Sequence, residues 1–78
     1  MSAPAAQAGP IARREIVTLL AYVETGSHKA AAHRLGISVS TSRQRISELC
    51  SRLRVTNAAQ AVWRLHDELV AAARPTER

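Results

Sequence analysis

The sequence predicts an all-α fold of four helices, on three observations. Only 3% of the 78 residues are aromatic (Tyr22 and Trp63, with no Phe), whereas 46% are hydrophobic and alanine is the commonest type. That balance favours closely packed helices over strands, which want β-branched and aromatic side chains. Apolar residues recur at helical spacing along the chain, and Ser, Gly and Asn stand between these stretches where helix caps need them. A chain of this length holds one domain with a thin core.

Residues 1–9, MSAPAAQAG, are small and aperiodic and are expected to be a disordered tail. The domain is expected over 10–73, with 74–78 frayed. Ile16, Leu19, Leu20 and Val23 stand at i, i+3, i+4 and i+7, which predicts a first helix from about Ile11 to Glu24, ended by Thr25-Gly26. Ser27 is a fitting N-cap for a second helix, HKAAAHRL, whose Ala30, Ala31 and Ala32 offer a flat face that a neighbour can approach closely.

Gly36 follows Leu35 where a helix C-terminus favours φ > 0, and Ser38 caps the next helix almost at once. Helix, Leu-Gly-Ile-Ser turn, helix is the signature of a helix-turn-helix unit. The third helix is predicted over Val39 to Leu53, with Val39, Ser42, Ile46, Leu49, Cys50 and Leu53 on one inward arc. The opposite arc carries Ser40, Gln44, Ser47 and Ser51, with Arg43 and Arg54 at one border and Arg45 and Arg52 further round. Short hydroxyls and an amide flanked by guanidiniums suit a DNA groove, where small polar groups approach base edges and Arg reaches phosphate or guanine.

Asn57, with Gln60 three residues on, resembles a capping box for a fourth helix over Ala58 to Ala73, closed by Pro75. Ala58, Val62, Leu65 and Leu69 form its core stripe. Ala59, Trp63, His66 and Val70 form a second stripe beside it, wider than one packing contact needs, so Trp63 fits the core and an interface alike.

The formal net charge is +5, and ten of the eleven basic residues are Arg. Lys29 to Arg54 holds six basic residues and one acid, Glu48, so the positive charge is localised. Cys50 is the sole cysteine and falls on an apolar stripe, which excludes an intrachain disulfide and fits a small core residue in a cytoplasmic protein. No apolar run reaches the length of a membrane span, and Met1 to Pro10 lacks the pattern of a signal peptide. His28, His33 and His66 lack metal-ligand spacing, so no metal or other cofactor is expected; His28 is suited to touching a phosphate. No nucleophile elbow, Gly-rich phosphate loop or metal motif points to an enzyme.

The segment LGISVSTSRQRISELCSRLRVTNAAQAV resembles the LuxR/GerE-type DNA-binding domain, in its LGIS turn, Ser/Thr-rich helix start, basic helix, and Asn then Gln-Ala-Val opening the fourth helix. The resemblance spans roughly residues 13 to 70. It implies a transcription regulator with its third helix in the major groove of double-stranded DNA, working as a homodimer formed largely through the fourth helix. Carried over by position, Arg43, Gln44 and Ser47 would reach bases, and Lys29, Ser40, Thr41, Arg45 and Arg52 the backbone. Ala59, Trp63, His66 and Val70 would form the dimer face.

Some positions depart from that pattern. Ser42 stands where Val or Ile is usual and Arg54 where Gly is common; Arg14-Glu15 keeps only part of the first-helix Arg-Glu pair. The spacing GS-x-x-x-AA-x-x-L from Gly26 to Leu35, and Ser42-Arg43-Gln44-x-Ile46, are also similar to the LysR-type head. LysR heads continue into a β-hairpin wing, whereas this chain offers another helix after Leu53, which ranks the LuxR/GerE type first. The length leaves no room for a receiver or ligand domain, so the expectation is a stand-alone phage or bacterial regulator. The competing expectation is a protein-interaction module that binds another regulator or RNA polymerase through the fourth helix.

Overall fold

The computed structural model describes residues 11–74. The expected tail at 1–9, and the expected frayed end at 74–78 beyond Arg74, lie outside the described residues. Five helices follow one another among those described: α1 Arg13–Thr25, α2 His28–Leu35, α3 Val39–Leu53, α4 Ala58–Arg64 and α5 His66–Ala73.

Each boundary has a local cause. The Ser27 side chain accepts the Ala30 N–H, the Ser38 side chain the Thr41 N–H, and Asn57 the Gln60 N–H, so α2, α3 and α4 all start on a polar N-cap. Gln60 answers one residue further back than a capping box would: its Oε1 accepts from the backbone and hydroxyl of Thr56, at 2.7 and 2.8 Å. Gly26 and Gly36 end α1 and α2 with φ of 88° and 70°. At Gly36 the bonds Ile37 N–H to Ala32 O and Gly36 N–H to His33 O make a Schellman turn, which swings the chain straight into the Ser38 cap. The same two bonds recur after α3, from Val55 to Cys50 and from Arg54 to Ser51, but the left-handed residue there is Arg54, at φ 58°.

The expected fourth helix is two helices, a correction located at Leu65. Its φ of −111° and ψ of 20° take it off the helical path, while its N–H still bonds Ala61 O and its carbonyl still accepts the Leu69 N–H. The pivot exists because the two halves have different partners: α4 lies on α3 and α5 lies on α1, which no straight helix could reach together. Asp67 and Glu68 fall in the first turn of α5, where carboxylates favour a helix N-terminus.

Leu19, Ile46, Leu49, Ala61, Leu65 and Leu69 form the buried core. Ala31 and Ala32 are buried where α2 closes on its neighbours, as the alanine face predicts. Two positions depart from the expected stripes. Val23 and Val39 are exposed, because α1 turns Glu15, Thr18 and Leu19 inward instead and Val39 sits at the first residue of α3, ahead of the packed region. Ser42, in the inward arc, is fully buried.

No helix among the described residues is long and apolar enough to cross a membrane, and no group of three His, Cys, Asp or Glu residues there could hold a metal ion.

Candidate nucleic-acid interface

Position of the third helix is set from behind by two polar contacts inside an otherwise apolar junction. The first joins α1 to α3. Glu15, completely buried, accepts the Ala12 N–H at 3.3 Å and the Arg52 guanidinium at 2.5 Å through Oε1, while its Oε2 has no hydrogen-bond partner. Arg52 keeps about a third of its side chain exposed, but its charged end is turned to this carboxylate. A carboxylate buried this far is tolerated only when paired, so the contact fixes the C-terminal half of α3 to the start of α1.

The second contact joins α2 to α3. His28 Nδ1 lies 3.3 Å from the buried Ser42 Oγ, and its ring stacks on Tyr22 with centroids 4.5 Å apart and an interplanar angle of 27°. Burial, and then the neighbouring Arg43 charge, push the His28 pKa below its ordinary value and favour the neutral ring. Burial pushes the half-buried Cys50 thiol up, leaving it an inert packing group.

With the helix so held, its far side faces solvent. Ser40, Arg43, Gln44, Ser47 and Ser51 are all exposed, in the arc the sequence pattern places opposite the core. Gln44 Nε2 donates to Glu48 Oε2 at 3.3 Å, which orients the amide along the helix. Thr41 is half-buried; its hydroxyl accepts from Ser38 Oγ at 2.9 Å, which ties it to the turn. Arg45 is half-exposed beside Arg14, Thr41, Gln44 and Glu48 at a shallow depression, and Lys29 is exposed at the start of α2. Among the described residues neither Arg43 nor Arg45 is in an ion pair.

Of the residues expected at DNA, Ser40, Arg43, Gln44 and Ser47 thus share the exposed outer side of α3, Thr41 and Arg45 lie half-buried at its border, and Lys29 is exposed on α2. Arg52 stands apart from them, engaged by Glu15. Sequence reasoning missed Glu15 and the His28–Ser42 contact, although a serine on an inward arc was a signal that a polar partner must exist. Ala59, Trp63, His66 and Val70 are all exposed, and Trp63, at 83%, is not part of the core.

Two helices joined by a tight left-handed turn, with an uncovered polar and basic face on the second, define a helix-turn-helix DNA-binding domain of the kind found in transcription regulators. Residues 13–56, more than half of the chain, match the bacterial regulatory helix-turn-helix protein, lysR family, and the chain belongs to that family. No curated protein and no solved structure matches it. The match falls on the LysR-type resemblance carried by Gly26–Leu35 and Ser42–Ile46, and does not support the LuxR/GerE type that the helical continuation had ranked first. That continuation is nonetheless present: beyond residue 56 the described chain forms α4 and α5, with no strand.

Proposed function

We propose that the protein regulates transcription by laying α3 in the major groove of double-stranded DNA, with Arg43, Gln44 and Ser47 reading base edges. Lys29, Ser40, Thr41 and Arg45 contact phosphates and set the register, while Arg52 serves the fold. The observation that carries this reading is the uncovered face of α3 with Arg43 on it and Arg45 at its border, neither in an ion pair among the described residues, in a chain of a regulatory helix-turn-helix family. Phosphate contacts supply most of the affinity and base contacts the discrimination.

The protein acts as a homodimer through Ala59, Trp63, His66 and Val70, on half-sites about 10 base pairs apart. The exposure of Trp63 supports an interface of some kind. It equally favours a second reading, in which the same stripe anchors another regulator or RNA polymerase, since Trp is a frequent hot-spot residue.

The test is selection from random duplex DNA followed by affinity measurements at two salt concentrations. Enrichment of an inverted repeat is expected. Arg43→Ala should cost about 1–3 kcal/mol on the selected site and relax its specificity, whereas Arg45→Ala should weaken every sequence alike. Equal losses on all sequences for both variants would remove the base-reading role of Arg43. No enrichment, together with stoichiometric capture of one bacterial regulator or polymerase subunit, would favour the second reading.

A further inference from the structure

Arg54 is the only residue other than glycine with positive φ among those described, and it occupies the Schellman position where glycine is the usual residue. An arginine there carries a conformational cost that glycine would not. Its side chain is exposed, and it lines one depression with Arg64 of α4, Val55, Asn57 and Gln60, bordered by Ala59 and Trp63 of the proposed dimer face. Two arginines therefore line one surface depression with no acid among its lining residues, and neither is in an ion pair among the described residues.

Arg54 also continues the outer stripe of α3. Ser40, Arg43, Gln44, Ser47, Ser51 and Arg54 are all exposed, and at roughly 1.5 Å per residue this stripe is about 21 Å long. The major groove is roughly 12 Å wide. With the N-terminal half of a crossing helix at the base edges, the far end of this stripe lies more than one groove width away, which brings Arg54 toward the phosphate rim.

We propose that Arg54 and Arg64 form a clamp for the phosphodiester backbone of the bound duplex, one that extends the footprint from α3 onto α4. This rests on the reading of α3 as the groove helix. The clamp reads no sequence; it adds affinity and fixes how far the helix runs along the groove. The strained backbone at residue 54 is then the cost of placing a cation where the helix ends.

The experiment compares Arg54→Gly, Arg64→Ala and the double variant with the parent protein, by thermal melting and by DNA affinity from 50 to 200 mM salt. Arg54→Gly is expected to melt higher, by roughly 4–8 °C, because glycine relieves the left-handed strain. It should nevertheless bind all duplexes more weakly, its salt slope smaller by about 0.9, so that its affinity changes roughly threefold less over that salt range. The double variant should lose about twice that slope. A more stable protein with a weaker grip is an outcome that a purely structural role for Arg54 does not produce. Unchanged slopes in variants whose parent binds DNA would overturn the clamp and leave the groove reading standing; a parent that binds no duplex at low salt would overturn both.

Discussion

Replacing Arg52 separates a DNA contact from a structural one, because the two roles predict opposite results. The sequence pattern groups Arg52 with the phosphate-facing residues, whereas the structure turns it to Glu15, which is completely buried and otherwise holds one backbone N–H. Arg52→Ala would leave that carboxylate without its counter-charge. Breaking a buried pair costs roughly 3–5 kcal/mol, and the partial exposure of Arg52 lets water reach its side of the pair, so about 2–3 kcal/mol is the fitting magnitude. For a domain this small, whose total stability lies near the low end of about 5–15 kcal/mol, that is close to half. At roughly 4–8 °C per kcal/mol the melting temperature should fall by roughly 10–20 °C.

Replacing both partners with leucine removes the charge and its penalty together, so Glu15→Leu with Arg52→Leu should recover most of the loss. The measurement is a double-mutant cycle by urea and thermal denaturation, with DNA affinity recorded below each variant's transition. A coupling energy above about 1.5 kcal/mol is expected, with the DNA salt slope unchanged. If Arg52→Ala melts like the parent and its salt slope drops by about 0.9, the residue is a phosphate contact and the structural assignment is wrong.

Three further outcomes follow from the same geometry. His28 has a pKa below its ordinary 6.5, so its contribution is fully present above pH 6.5 and declines as the pH falls below it. Melting from pH 7.5 to 5.5 should therefore show a steeper acid loss than in His28→Gln, and identical profiles would remove the effect. Leu49→Ala should cost about 2–5 kcal/mol by denaturant titration, because Leu49 is completely buried at the centre of the core; a loss under about 1 kcal/mol would contradict that burial. Trp63→Ser should change monomer stability by less than about 0.5 kcal/mol, since the side chain is exposed, while sedimentation shifts from dimer to monomer; unaltered mass would take Trp63 out of the self-association face.

Much of this protein can be read from its residues where the cause is local. The caps Ser27, Ser38 and Asn57 and the turn at Gly36 are short-range hydrogen-bond devices, and the structure uses all of them. The outer face of α3 was likewise readable, because helical period alone separates it from Ile46 and Leu49. The contacts between helices were not. Glu15 lies 37 residues from Arg52 and His28 14 residues from Ser42, and periodicity assigns a polar residue to solvent unless its partner is known. The pivot at Leu65 has no glycine or proline to announce it; it arises from where α3 and α1 lie, which is tertiary information. Trp63 was ambiguous for the same reason, since a second apolar stripe becomes core only if another helix covers it.

The family match ends at residue 56, yet Ala61, Leu65 and Leu69 supply half of the central core cluster. The stretch that carries the ancestry and the stretch that folds are therefore different lengths. A fragment cut at the end of the match would keep all the proposed base-reading side chains and leave Leu19 and Leu49 open to water. Grafting this reading head onto another protein requires moving its last two helices with it, although neither supplies a proposed base-reading residue.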